Sequence, residues 1–322
     1  MSMLARMAAR LYGVLWESRR GIYARGWRQP ERVAARVVSI GNLSVGGAGK
    51  TTLTLYLAAE AQRRGIGVAV VCRNYRPGPA GHGDEALLYA AALGPERVFA
   101  GTSKRLLARA AAAGGAGLIL VDDGFSHWAL ARDLDVVLLD STDPWGGGAL
   151  LPAGRLREPR RALQRAGVIV VTRLEDVGGA AALTQGVRPY APAALLATSR
   201  HKVTGVRAAA DGALLADTHG PAHVVTATGN PQAVATSARS AGFAPVTLSA
   251  YRDHHWFTQA EAQRELRQAG TGWLLLTAKD AVRWPRAQAG GKVAVLEVGW
   301  EWVTGGDAVL AAVFGDARAI EG

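Results

Sequence analysis

From residue 36 onward, short runs of Val, Ile and Leu alternate with alanine-rich stretches of helical period, the pattern of a parallel sheet with both faces covered by helices. Runs at 37–40, 68–72, 118–121, 136–139 and 168–171 predict the strands of a first block. A second block predicts strands near 194–198, 224–226, 246–248, 273–277 and 293–298. Its helix starts are signalled locally. Asn230-Pro231 reads as a cap followed by proline at the first helical position, and Thr258 with Glu261 as a capping box. Ligands of such sheets sit beyond the carboxyl ends of the strands. Several runs open directly into polar residues: Gly41-Asn42 after the first, Arg73-Asn74-Tyr75 after the second and Asp122-Asp123-Gly124 after the third.

The first 28 residues have a different pattern. Leu4, Met7, Ala8, Leu11 and Leu15 share one helical face, Arg6, Arg10, Arg19, Arg20, Arg25 and Arg28 supply charge, and Tyr12, Trp16, Tyr23 and Trp27 are interleaved. An interfacial membrane anchor and an amphipathic helix packed on the protein's own core both fit this pattern. No run approaches the roughly 18 apolar residues of a spanning helix. Arginines interrupt the apolar face and no small-residue cleavage site follows, which argues against a signal peptide.

A chain of 322 residues suits two domains. The expected division is an amphipathic helix at 1–35, a core at 36–165 and a second α/β domain at 166–322 whose last helix packs back on the core. The net charge of +11, from 37 Lys and Arg against 26 Asp and Glu, suits an anionic partner. The single cysteine, Cys72, excludes an internal disulfide and a cysteine zinc cage, so the cytoplasmic side is expected. Aromatic and basic residues are not organised into a stacking groove, so no nucleic-acid partner is expected.

Candidate chemistry concentrates at the first strand. Residues 44–52, Ser44-Val45-Gly46-Gly47-Ala48-Gly49-Lys50-Thr51-Thr52, form a glycine-rich loop between a buried strand and a helix. This is the context of a phosphate-binding P-loop: backbone N–H groups turn onto phosphates, the helix N-terminus adds positive charge, Lys50 reaches the terminal phosphates and the Thr51 hydroxyl ligates Mg2+. The strict pattern has glycine where this chain has Ser44. Asp122 and Asp123 follow the run at 118–121, where a second acidic residue of a P-loop enzyme would hold Mg2+ or its water shell; a helix cap or turn aspartate also fits. Asp84, opening a helical stretch, reads by default as an N-cap. Adjacent His254 and His255 point apart on any regular element and make a poor chelate. Arg155, Arg157, Arg160, Arg161 and Arg165 suit either an anion clamp or a solvated basic surface.

Taken in order, these segments resemble the tetraacyldisaccharide 4'-kinases, which phosphorylate the lipid A precursor. The matching motifs are the loop from Gly41 to Thr51, Arg73-Asn74-Tyr75, Gly83-Asp84-Glu85, Asp122-Asp123-Gly124-Phe125-Ser126-His127, Leu130-Ala131-Arg132-Asp133-Leu134, the segment from Leu150 to Pro159, Gly229-Asn230-Pro231, Asp253-His254-His255 and Lys279-Asp280, spanning about residues 37–285. The serine at 44 is what that family shows. The resemblance implies a P-loop core, a second α/β domain across a hinge, and an N-terminal helix docked on the inner membrane. It implies ATP and Mg2+ as cofactors, Asp84 as catalytic base paired with His254, and Lys50 at the phosphates. It further implies Thr51, Asp122 and Asp123 near the metal, and Asn42, Arg73, Tyr75, His127, Arg157 and Glu158 along the acceptor cleft. The expected partners are a lipid A disaccharide precursor and the anionic cytoplasmic face of the inner membrane, with a monomer as the working unit. A P-loop switch or chaperone acting on a protein partner is the alternative. Departures from the family pattern are Asn74 for glycine, Ser126 for glutamine and Ala278 for glutamate.

Overall fold

The computed structural model describes residues 3–78, 81–174 and 183–315. They form two compact units. The first comprises the described residues within 1–73, 93–200 and 300–322, and the second those within 74–92 and 201–299.

In the first unit the strand order is β3-β2-β4-β1-β5-β6-β7. The members are β1 (Arg36–Asn42), β2 (Val68–Cys72), β3 (Val98–Ala100), β4 (Leu118–Asp122), β5 (Leu134–Asp140), β6 (Val168–Thr172) and the start of β7 (Leu195–Ala208). All their pairings are parallel. Every residue of β2, β4 and β6 is buried, as expected of strands covered on both faces and rich in Val, Ile and Leu. Strand β1 lies between β4 and β5, so connections diverge on either side of it, and its carboxyl end is the switch point where such sheets bind ligands. Helix α2 (Lys50–Arg63) follows, seated on the sheet by Leu53 and Leu57, both fully buried.

The division expected between residues 165 and 166 falls within the first unit. Strand β6 pairs with β5 and β7 pairs with β6, so the sheet continues past it without a break. The last described helix, Gly306–Phe314, returns to this unit, where Arg36 donates to the carbonyls of Val313 (2.8 Å) and Ala312 (2.7 Å).

Helix α1 (Met3–Ala24) has one packed face and one exposed face. One face packs on the first unit: Trp16 meets Trp128 edge-on at 6.2 Å, Tyr23 stacks on Trp128 at 5.9 Å, and the Tyr12 hydroxyl donates to the Arg157 carbonyl at 2.8 Å. The other leaves Met3, Leu4, Met7, Leu11, Val14 and Leu15 exposed.

The second unit carries the order β11-β10-β8-β9, again parallel. Its strands are β8 (Gly220–Thr226), β9 (Phe243–Ala250), β10 (Trp273–Thr277) and the first part of β11 (Val293–Thr304). The capping signals are realised: Asn230 accepts from the Ala233 N–H, and Thr258 with Glu261 forms both bonds of a capping box. Two further helices matter for the site, α3 (Asp84–Leu93) and the short Ala278–Ala281 turn capped by Thr277.

Candidate active site

In the first unit the loop after β1 is braced from three directions. Asn42 donates to the Ser44 carbonyl (2.7 Å), the Val45 N–H donates to Arg155 (2.8 Å), the Arg157 N–H to Leu43 (2.7 Å) and the Thr172 hydroxyl to Ala48 (3.1 Å). Ser44 forms an antiparallel bridge with Leu156 and is not among the positive-φ residues, so this position does not require glycine. Gly46 (φ 127°) and Gly49 (φ 88°, directly before α2) do. The departure from the strict motif therefore leaves the turn into α2 intact. The N–H groups that open α2 are capped by no side chain, which leaves them as donors for an anion.

Lys50 Nζ donates to Asn42 Oδ1 at 3.0 Å and lies 3.9 Å from Asp123 Oδ1. Arg157 grips Asp123 with both nitrogens of its fork, at 2.7 and 2.6 Å, and also reaches Asn42. Burial would raise the Asp123 carboxyl, but the Arg157 hydrogen bonds and the charges of Lys50, Arg157 and Lys104 hold it well below the usual carboxylate range. Asn42, expected against the acceptor, is thus a hub of the loop itself.

Magnesium beside nucleotide phosphates takes few protein ligands, commonly one hydroxyl and one or two carboxylates, and keeps its waters. Thr51 at the start of α2 and Asp122, the last residue of β4 and in register with Ile40 of β1, make such a hard-oxygen set. Among the described residues no group of three or more His, Cys, Asp or Glu gathers as a metal cage. Asp123 fits less well, because both of its oxygens are engaged by Arg157.

His127 is half-buried, and burial, joined by the charges of Lys104 and Arg132, pushes its imidazole down to about 4, so it is neutral at pH 7. A group whose folded pKa is depressed contributes stability above its unfolded value and loses it as pH falls toward the folded one. Stability should therefore decline from pH 6.5 toward 4. His127→Gln should flatten part of that decline, as read by urea midpoints across the range; an unchanged slope would contradict the assignment. Glu158, expected along the acceptor cleft, turns inward. It is 1% exposed and its oxygens accept from Ser126 (2.6 Å) and Arg165 (2.8 Å). Arg165 also lies over the Phe125 and Trp128 rings, so this part of the arginine cluster is packing rather than solvated surface. Arg73 is exposed at the end of β2.

Sequence reasoning missed Lys104. It opens helix α4 (Lys104–Ala113), is 2% exposed, and donates to the carbonyls of Asp122 and of Asp123, the latter at 2.6 Å, thereby fixing the turn after β4. A lone lysine in an alanine-rich helix carries no signal of burial; only the preceding cap Ser103 hinted at where its helix starts.

The second unit gathers a separate cluster. Asp84, 2% exposed at the start of α3, lies 2.9 and 3.0 Å from His254 Nδ1. Lys279 Nζ is 3.7 Å and Arg283 Nη1 3.3 Å from Asp84 Oδ2. Tyr75, half-exposed, meets the His254 ring edge-on at 5.1 Å. His255 points elsewhere, to Glu261 at 3.0 Å, as expected of adjacent histidines. Asp84 is no simple cap: its carboxylate faces an imidazole and two cations.

A model of the tetraacyldisaccharide-1-P 4'-kinase family matches residues 1–314. The chain belongs to this 4'-kinase family. Relatives named tetraacyldisaccharide 4'-kinase include one from Anaeromyxobacter dehalogenans, 40% identical, with 96% of this chain and 86% of the relative covered. Another, from Geobacter sulfurreducens, is 35% identical with 85% and 82% covered. Among solved structures, LpxK from Aquifex aeolicus in complex with ATP is alike in fold, with a TM-score of 0.70 over 95% of this chain and 96% of that one at 22% identity.

The departures from the usual 4'-kinase residues have local explanations. Asn74 donates to the Gly81 carbonyl (2.9 Å) and accepts from the Gly83 N–H (2.6 Å), tying down the loop that leads into Asp84. Ser126 serves Glu158, and Ala278 begins a turn that Thr277 already caps.

Proposed function

We propose that this 4'-kinase transfers the γ-phosphoryl group of ATP to the 4'-hydroxyl of a tetraacyldisaccharide 1-phosphate, the step that completes phosphorylation of the lipid A precursor. The observation that carries the reading is the braced loop at residues 44–51 with Lys50 beside Asn42 and Asp123, in a chain of this family. A switch or chaperone role has no observation in its favour beyond the P-loop, which a kinase equally requires.

Lys50, the loop amides and Thr51 would hold the β- and γ-phosphates, with Thr51 and Asp122 holding Mg2+. The ion would supply charge neutralisation to the phosphates. Arg157, whose two terminal nitrogens are engaged by Asp123 and Asn42, would brace those residues beside the phosphates. Asp84, oriented by His254, accepts the sugar hydroxyl proton. Arg73, Tyr75 and His127 offer the acceptor a cation, an aromatic edge and a neutral imidazole. Transfer of radiolabel from γ-labelled ATP into the lipid disaccharide tests the reading; hydrolysis without lipid labelling, stimulated by a protein, would favour the switch.

The exposed apolar face of α1, flanked by Arg6, Arg10 and Arg20, suits the anionic cytoplasmic surface of the inner membrane, and no described helix is long and apolar enough to cross it. Replacing Leu4, Met7 and Leu11 together by Ser should weaken sedimentation with vesicles containing anionic lipid by at least about tenfold. Binding of the wild type should also fall as salt rises. Undiminished binding by the triple variant would remove α1 from this role. Catalysis by a monomer is part of the same proposal.

A further inference from the structure

The cluster around Asp84 contains a cation that the assigned roles leave unused. Arg283 is fully buried; its Nε and Nη2 are held by hydrogen bonds, and its Nη1 is left to an ion-pair contact. Nε donates to the Lys279 carbonyl (3.0 Å), and Nη2 donates to Asp280 Oδ1 (2.6 Å) and toward the Ala227 carbonyl (3.3 Å). Nη1 lies 3.3 Å from Asp84 Oδ2. The same Ala227 carbonyl accepts the backbone N–H of His254 at 3.2 Å. One guanidinium thus contacts the carboxylate of Asp84 and the carbonyl that anchors His254.

We propose that Arg283 is the positioning residue of the Asp84–His254 pair, holding the carboxylate ionised and turned toward His254 Nδ1. The inference rests on Asp84 being the proton acceptor. Asp280, itself fully buried, receives the Ala227 N–H (2.9 Å) and the hydroxyls of Thr226 (2.8 Å) and Thr277 (2.6 Å), so Arg283 stands on a saturated base and cannot swing. Lys279 is a poorer anchor because Glu85 draws it away at 3.3 Å. Beyond these, Asp253 faces the other edge of His254 at 3.7 Å. Burial alone would raise the Asp84 carboxyl; the His254 hydrogen bond and the charges of Lys279, His254 and Arg283 outweigh it and hold it below its ordinary value. A rigid planar fork fixes direction as well as charge, which an ammonium at the same place would not.

The test is a pH profile combined with a double-mutant cycle, followed by single-turnover transfer of labelled phosphate with enzyme in excess. Arg283→Gln should lower kcat by about tenfold or more while KM for ATP stays within about twofold. It should also move the acid limb of kcat/KM upward, since the carboxylate then protonates at higher pH. Arg283→Lys, which keeps the charge and loses the fork, should lower kcat while leaving that limb near its wild-type position. In an Asp84→Asn background either Arg283 substitution should cost less than about twofold. The proposal is overturned by an unmoved limb in folded Arg283→Gln, or by a loss undiminished in that background. Should the glutamine variant not fold, the lysine variant carries the cycle; failure of both to fold assigns Arg283 to the core alone. Wild-type turnover by Asp84→Asn removes the base reading itself, whereas a slow Asp84→Asn enzyme with an uncoupled Arg283 removes only the positioning role.

Discussion

Lys50→Ala is expected to lower kcat/KM for phosphoryl transfer by at least about 10³-fold, the scale seen when a preorganised cation is taken from a transferring phosphoryl group. Lys50 opens α2, and its ammonium is held by Asn42 Oδ1 with Asp123 Oδ1 nearby, so its position is set before any phosphate arrives. Such preorganisation is what makes a charge effective in the transition state. Lys50→Arg should not restore activity, because a planar fork cannot replace a point charge seated between a carboxamide and the loop. Folding should be nearly unaffected, since Lys50 is not among the buried side chains, while the upward shift of Tm produced by ATP should shrink with affinity. Single-turnover transfer of labelled phosphate and thermal shifts at several ATP concentrations decide the matter. Activity within about tenfold of wild type would show that Lys50 is not the phosphate-binding cation.

The same contrast between local signal and remote placement explains what could be read in the sequence. The strand expected at 68–72 is β2, the run at 37–40 lies within β1, and the runs at 224–226 and 246–248 lie within β8 and β9. Continuous β-branched runs advertise buried parallel strands because no other element buries them so compactly. Strand β3, three half-buried residues long, has too little pattern to be seen. Strand β7 runs on to Ala208 through Arg200, His201 and Lys202, whose polarity hides its second half. The division into units was not legible either. Each unit is assembled from separate segments, and the chain passes between them after β2, at the end of α3, and inside β7 and β11, so no single linker marks a boundary.

At the site, legibility followed the same rule. The glycine-rich loop at 44–51 is local and therefore legible as a strand–loop–helix turn, and the bridge of Ser44 to Leu156 explains why glycine is not required there. The pairing of Asp84 with His254 joins residues 170 positions apart, and pattern alone favoured a cap for Asp84; the family resemblance carried it. Lys104 and Arg283 escaped notice because a single cation on a helix is ordinarily solvated, and only packing reveals that these two are buried. Glu158 shows the reverse error. Its place in a motif suggested contact with the acceptor, whereas Ser126 and Arg165 consume both its oxygens.

Asp84→Ala should retain ATP binding and lose turnover by more than about tenfold and up to about 10⁴-fold, the range of general base effects. The carboxylate is ionised at neutral pH because burial, which would raise its pKa, is outweighed by the His254 hydrogen bond and by the charges of Lys279, His254 and Arg283. The base is active in its ionised form, so the acid limb of wild-type kcat/KM should lie below the range of an ordinary carboxyl, as an apparent value of the coupled pair. His254→Asn is the informative partner. His254 sits at φ 63°, a left-handed conformation that asparagine tolerates, so the backbone need not move. Losing the imidazole removes the largest of the influences that lower the carboxyl, so the acid limb should move upward and kcat should fall at neutral pH. Stability follows the same sign. A carboxyl depressed below its unfolded value of 3.8 contributes stability above that pH and loses it as pH falls through the folded value, so acid unfolding of Asp84→Asn should begin from a lower plateau and be less steep. A wild-type limb at or above pH 6 that His254→Asn leaves in place would detach the pH dependence of turnover from Asp84, and wild-type turnover in Asp84→Ala would remove it from the chemistry altogether.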